Sequence, residues 1–118
     1  MTTILEFPIV TQGLNGKDGL MRMHWSKKKK IKEQLTWLIL AQSRARHPGR
    51  VRLSYHRNYK ARPMDQFDNL PASMKIWVDS IIAAGLIADD SPDFIPETPT
   101  YTQSKGVPFT RIIIEDID

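Results

Sequence analysis

The sequence contains no cysteine, which excludes disulfide bonds and thiolate metal sites and fits a reducing compartment. It has no uninterrupted apolar run near the roughly 18 residues that a membrane-spanning helix requires. No early basic cluster precedes an apolar segment, so a signal peptide is not expected. We therefore expect a soluble, cytoplasmic, globular protein without a membrane partner, in which any metal ion is bound by oxygen or imidazole groups.

Charge is distributed very unevenly along the chain. Residues 1–63 contain 14 lysines and arginines against 3 acids, a net charge of +11. Residues 64–118 contain 3 lysines and arginines against 10 acids, a net charge of −7. Cations favour polyanions such as nucleic acid, and acids repel polyanions unless the acids bind cations. This pattern is typical of a metal-dependent nuclease, although a solvated surface with unevenly distributed charges fits it equally well.

Length and periodicity predict one domain of mixed architecture. With 118 residues there is room for one ordinary core, so residues 1–118 are treated as one unit. The predicted strands cover residues 3–10, 50–57 and 109–115. The predicted helices cover about 26–46 and 71–84. A loop over 11–24 separates the first strand from the first helix, and Tyr101 is expected on an extended segment. The expected class is α+β, one compact domain with a mixed sheet of about four strands packed with two main helices.

Several side chains have predicted places within these elements. Pro8 indicates an edge strand, because proline has no N–H to donate to a neighbouring strand. Ser26 is the predicted N-cap of the first helix, and His47 is expected in the turn that ends it. Gly85 is the predicted C-cap of the second helix, with Pro71 in its first turn. The residues expected to face the core include Leu5, Phe7, Ile9, Leu35, Leu38, Ile39, Met74, Trp77, Val78 and Ile81.

Acids are concentrated in residues 63–92, where Lys75 is the one cation. The acids of this segment are Asp65, Asp68, Asp79, Asp89, and Asp90. Helical steps of about 100° place Asp68, Lys75 and Asp79 on one stripe, away from the apolar face. Mg²⁺ takes oxygen ligands, commonly one or two carboxylates with water and substrate phosphate, and a nearby lysine can bind the phosphate.

An ordinary structural interpretation also fits the segment. Asp68-Asn69 has the composition of a helix N-cap, and Lys75 with Asp79 is a common i,i+4 ion pair. Asp89-Asp90 has the composition of a turn. Spacing alone therefore leaves both interpretations open.

The same segment resembles the signature of the RusA-like Holliday junction resolvases, which are small, magnesium-dependent, dimeric endonucleases that act on branched DNA. The matching residues, which span about 26 of the 118, are Asp65, Asp68-Asn69, Lys75, Asp79, Gly85 and Asp89-Asp90. Two departures are local: Gln66-Phe67 separate the first two aspartates where the family has one residue, and the lysine follows the asparagine by six residues rather than three. Pro71 indicates that part of this insertion precedes the helix.

The resemblance implies an activity, a cofactor and roles for particular residues. Asp65, Asp68 and Asp90 would bind Mg²⁺, or Mn²⁺ in its place. Lys75, with Asp68 and Asp90, would be catalytic, and Asp79 and Asp89 would be accessory. The implied reaction is the resolution of a four-way DNA junction by paired nicks, carried out by a homodimer.

A lysine cluster, Lys27–Lys30 with Lys32, surrounds the start of the first predicted helix. Cations oppose the helix dipole at this end, so phosphate is the expected partner, and Trp25 beside them can stack on exposed bases. The other interpretation is that Trp25 is buried and the lysines only solubilise the protein. The full predicted DNA-binding set is Trp25, Lys27, Lys28, Lys29, Lys30, Lys32, Arg52, Arg57, Lys60 and Arg62.

Three classes of function follow. The first is the metal-dependent junction endonuclease. The second is a non-catalytic phage or prophage nucleic-acid-binding module whose acids are structural. The third is a toxin or adaptor that binds an acidic protein through its lysine cluster and has no affinity for DNA.

Overall fold

Two helices and four strands form the part of the chain that the computed structural model describes, residues 1–11, 24–65 and 68–117. In chain order they are β1 (Thr2–Phe7), α1 (Trp25–Gln42), β2 (Val51–Tyr59), α2 (Asn69–Ala84), β3 (Thr100–Lys105) and β4 (Phe109–Asp116). Most of the predicted loop over 11–24 lies outside the described residues. Among those residues, neither helix combines the length and the apolar composition needed to cross a bilayer.

The strands form one mixed sheet in the order β1-β4-β2-β3, which confirms the expected α+β class. β4 lies between β1 and β2 and is antiparallel to both, whereas β2 and β3 are parallel. Parallel neighbours need a long crossover, and α2 lies in the connection between β2 and β3. β1 is an edge strand, as Pro8 predicted, and the strand ends one residue before that proline.

One face of the sheet packs against both helices. Register places Leu5 opposite Ile112, and Ile112 opposite Tyr55, so these side chains share a face. Trp77 of α2 stacks on Phe7 of β1 with ring centroids 4.7 Å apart. The predicted core residues that are buried are Leu5, Phe7, Leu35, Ile39, Met74, Trp77, Val78 and Ile81. Burying each such side chain contributes about 1.5–3 kcal/mol, so this face provides most of the stabilisation.

Some local predictions were wrong at the ends of the elements. Ile9 and Leu38 are 39% and 40% exposed rather than buried. Ile9 lies beyond the end of β1, and α1 buries only a narrow stripe at Leu35 and Ile39. The N-cap of α1 is His24, whose Nδ1 accepts a hydrogen bond from the backbone N–H of Ser26 at 3.2 Å. The helix ends at Gln42, four residues earlier than expected.

His47 is a buried connector and not merely a turn residue. It is 1% exposed and forms an isolated bridge with Ile87. Its Nε2 lies 2.8 Å from Thr3 Oγ1, and its Nδ1 lies 2.6 Å from Asp116 Oδ1. The bond with His47 lowers the pKa of Asp116. The imidazole therefore links β1 and β4 to the segment that follows α1.

Replacing His47 with leucine should lower the free energy of unfolding by about 2 kcal/mol, because the buried Thr3 hydroxyl loses its partner. Urea denaturation measures this change. His56→Leu is the matched control, since His56 also makes side-chain hydrogen bonds but is less buried. The interpretation is contradicted if the loss for His47→Leu is no larger than the loss for His56→Leu.

Candidate functional site

Lys75, Asp79 and Asp90 meet on the exposed side of α2. Lys75 Nζ lies 3.0 Å from Asp79 Oδ1, one helical turn away, and 2.6 Å from Asp90 Oδ2. Asp90 reaches the helix because Gly85 ends it with a left-handed φ of 85°, which reverses the chain. The predicted stripe is thus exposed and is joined by an acid from the following turn.

Lys75 and Asp90 stabilise each other's charged forms. The hydrogen bond with Asp90 raises the pKa of Lys75, and the same bond lowers the pKa of Asp90. The lysine therefore stays protonated at neutral pH and can serve as a fixed positive charge rather than as a proton acceptor. More than half of its side-chain surface remains exposed, so an anion from solution can reach it.

The start of α2 is capped by Asp65 rather than by Asp68. Asp65 Oδ2 accepts hydrogen bonds from the backbone N–H groups of Asp68 at 2.7 Å and Asn69 at 3.2 Å. The bond from the Asp68 N–H is the largest cause of a lowered pKa of Asp65. Asp68 occupies the N-cap position, but its side chain makes no capping bond. The ordinary interpretation is therefore confirmed for the position of Asp68, but the side chain that caps the helix is that of Asp65.

The helix also contains the whole insertion between Asn69 and Lys75. α2 begins at Asn69, so the prediction that part of the insertion precedes the helix was wrong. Asp68 and Lys75 consequently lie about 10 Å apart along the helix axis. The spacer Gln66-Phe67 is outside the described residues.

Carboxylates near α2 have the right chemistry for Mg²⁺ but do not form a compact cluster. Within residues 1–11, 24–65 and 68–117, no three acidic or histidine side chains converge as ligands for one metal ion. Mg²⁺ needs only one or two carboxylates when water and phosphate complete its shell. Asp90, which contacts Lys75, meets that requirement by itself, whereas Asp68, exposed and free of a capping bond, lies about 10 Å from Lys75 along the helix axis. Asp89 is exposed beside Asp90.

The lysine cluster at the start of α1 lies beside Lys75. A groove of about 400 Å³ between α1 and α2 is lined by Lys28, Lys29, Lys32, Lys75, Ile76 and Asp79. Two lysine-bearing segments that are far apart in the sequence therefore share one groove. Lys75 and Asp90 also border a second groove, whose lining includes Met74, Val78 and Tyr101.

Most of the remaining predicted DNA contacts lie on the surface. Trp25 is 69% exposed and tilted against the His24 ring, so the interpretation that it is buried is wrong. Lys60 and Arg62 are exposed in the segment after β2. Arg52 is exposed too, but its Nε donates to Glu97 at 2.8 Å.

Arg57 does not belong to the exposed basic surface. It is only 8% exposed and lies on the core face of β2, where burial lowers its pKa. Its Nε has no hydrogen-bond partner among the described residues. The alternation of β2, in which Val51, Leu53 and Tyr55 are buried, continues to Arg57, so the sequence pattern contained the signal for this correction.

Sequence reasoning missed Trp37, which is 74% exposed on α1. Its groove is also about 400 Å³ and is lined by Lys29, Lys32, Glu33, Thr36, Trp37, Leu40 and Ala83. Trp37 follows the buried Leu35 by two residues, which is about 200° around a helix. A helical projection would therefore have placed it on the solvent side.

No protein-family model matches this chain, and a search of curated proteins finds no similar sequence. The assignment of a function therefore depends on the residues of the site and on the resemblance of the segment around α2.

Replacing Asp65 with asparagine should destabilise the protein at neutral pH but not in strong acid. The lowered pKa of Asp65 means that its charged form stabilises the fold. That contribution is complete above the ordinary carboxyl pKa of about 4 and is lost as the pH falls through the lower folded value. Urea midpoints of wild type and Asp65→Asn, measured across this range, should converge at low pH.

Asp93→Asn is the control for this pH series, because Asp93 is an exposed acid away from the helix start. Its urea midpoint should follow that of wild type at every pH. A difference between wild type and Asp65→Asn that persists unchanged in strong acid would show that the charge of the cap is not what matters.

Proposed function

We propose that this protein is a metal-dependent, structure-selective DNA endonuclease that resolves Holliday junctions by paired phosphodiester nicks. The observation that carries the proposal is the contact of Lys75 with Asp90 beside a groove lined by further lysines. In such an arrangement the cation can bind a phosphate while the neighbouring carboxylate binds a metal ion. The resemblance of residues 65–90 to the RusA-like signature supports the same reaction.

Lys75 would bind a non-bridging oxygen of the scissile phosphate. Its ion pairs with Asp79 and Asp90 are solvent-exposed, so a phosphate can replace either partner at little energetic cost. Asp90, with water and phosphate, would hold Mg²⁺, and the resemblance implies Asp68 as a second ligand, whereas Asp65 caps α2 and does not converge with both of them on one ion. When bound, Mg²⁺ stabilises charge on the phosphate and makes a coordinated water more acidic.

The lysines of α1 would position the DNA backbone. Lys28, Lys29 and Lys32 line the groove that leads to Lys75, and backbone phosphates are their natural partners. Lys27 and Lys30 are exposed at the same end of the helix. A four-way junction has near two-fold symmetry, so we propose a homodimer that presents two equivalent sites.

A non-catalytic nucleic-acid-binding module is the second candidate. It is favoured by the bonds of the acids themselves, since Asp65 caps α2 and Asp90 pairs with Lys75. In that case the acids are structural and no metal is needed. Binding of a junction without Mg²⁺-dependent cleavage by the wild-type protein would favour this module, and absence of any DNA affinity would favour an acidic protein partner.

Asp68→Asn and Asp90→Asn should each abolish Mg²⁺-dependent cleavage of a labelled four-way junction while preserving the fold, because the amide keeps the shape and removes the charge. Lys75→Ala should reduce cleavage by at least about 100-fold, since it removes charge stabilisation from the phosphate. Asp93→Asn, an exposed acid of the following segment, should cleave as wild type does. Circular dichroism checks the fold of each variant.

Near-wild-type cleavage by either aspartate variant would remove that residue from the site. Full activity of Lys75→Ala alone would mean that the helical insertion has displaced the lysine from its implied role. Dependence on the metal is measured by adding and removing Mg²⁺, with Mn²⁺ as the substitute.

Affinity for junction DNA should fall steeply with salt, because phosphate contacts dominate it. Each phosphate neutralised contributes about −0.9 to the slope of log affinity against log salt on duplex DNA. Replacing both Lys29 and Lys30 with glutamine should therefore flatten the slope by up to about 2. Replacing Arg44 and Arg50 with glutamine removes the same charge beyond the other end of α1 and should change the slope less. Equal slopes for the two variants would show that the lysine cluster only solubilises the protein and has no particular role in DNA binding.

A further inference from the structure

Trp37 is the most exposed tryptophan among the described residues, at 74% against 69% for Trp25. Burying an indole ring is energetically favourable, and an indole exposed to solvent lacks this favourable free energy. An exposed tryptophan on a helix is therefore a candidate binding residue. Trp37 does not stand alone, because Leu40 and Ala83 line the same groove. Lys29 and Lys32, on the same helix as Trp37, also line that groove.

The groove of Trp37 adjoins the groove of Lys75. Lys29 and Lys32 line both of them. We call this joined surface the α1–α2 track, which runs from Lys75 past the two lysines to Trp37. Along α2 it extends from Lys75 to Ala83, about 12 Å. The cleavage site proposed above therefore lies at one end of the track and an exposed aromatic ring lies at the other.

We propose that Trp37 is a stacking platform for an unpaired base of a single DNA strand that lies along the α1–α2 track. Proteins bind single strands by combining cations that contact the backbone with aromatic rings that stack on bases. Lys29 and Lys32 supply the cations next to the ring. The proposal rests on the proposed function for its DNA substrate, but stacking itself requires no cleavage.

A second copy of the chain fits this surface less well. A two-fold contact would bring Lys29 and Lys32 close to their own copies, and like charges across an interface are unfavourable. Glu33 is the one acid lining the Trp37 groove, and the lysines outnumber it. A fully paired duplex does not fit either, since its bases are stacked on one another. An unpaired segment, such as the strand at a branch point, can stack a base on the ring and place its phosphates next to the lysines.

Tryptophan fluorescence tests the proposal directly. The variant Trp25→Phe retains the exposed Trp37 and the buried Trp77. Titration with oligothymidylate in metal-free buffer should quench its emission, because a stacked base quenches the indole. The double variant Trp25→Phe/Trp37→Phe, which keeps only Trp77, should show no quenching. Quenching that is the same in both variants would overturn the proposal.

Affinity supplies the second measurement. Trp37→Ala should weaken oligothymidylate binding by about 5- to 150-fold, the range found for the loss of one stacked base. Trp37→Phe should recover most of it. Leu38→Ala, which removes a partly exposed apolar side chain of the same helix, should bind as wild type does. Unchanged affinity of Trp37→Ala would overturn the proposal.

Sedimentation of the same variants tests for a second copy on this surface. Loss of a dimer in Trp37→Ala without loss of DNA affinity would assign the groove to protein association and overturn the proposal. All these measurements are made in metal-free buffer, so their outcome does not depend on cleavage. Junctions that are cut normally by a variant with unchanged single-strand binding would leave the endonuclease intact and remove only the role of Trp37.

Discussion

Burial of one face of α2 is the constraint on which the rest of the molecule depends. Trp77 stacks on Phe7, and the hydroxyl of Tyr55 bonds to Ser73 Oγ at 3.1 Å, so the helix is held against β1 and β2. A helix with one face buried must present the opposite stripe to solvent. Lys75 lies on that stripe, and its charge is available to ligands because of packing on the other side of the helix.

The two oppositely charged halves of the chain are neighbours in space. α1 carries the lysine cluster and packs against α2, which carries Lys75 and Asp79. The reversal at Gly85 then brings Asp90 back to Lys75. The result is a cationic groove that ends beside exposed carboxylates. Asp79, an acid of the second half, lines the same groove as Lys28, Lys29 and Lys32.

Residue type alone does not separate structural from functional roles in this fold. Asp65 is of a residue type that often binds metal ions, but its side chain caps a helix. Arg57 is of a residue type that often contacts DNA, but its side chain is buried. His47 occupies a turn-like sequence but joins β1 and β4 through Thr3 and Asp116. The hydrogen-bond partners reveal the roles of Asp65 and His47, and burial reveals that of Arg57, so all three depend on the course of the backbone.

The sequence by itself determined what depends on local periodicity: the α+β class, the inward-facing Leu5 and Phe7 of β1, and α2 with its cap at Gly85 and its exposed stripe. These follow from repeats of 2 and 3.6 residues, which neighbouring residues establish. Tertiary structure alone decided the strand order, the parallel pairing of β2 with β3, and the groove that unites Lys29 with Lys75. Such contacts join residues that are far apart in the chain, and their geometry is set by how the helices pack on the sheet and on each other.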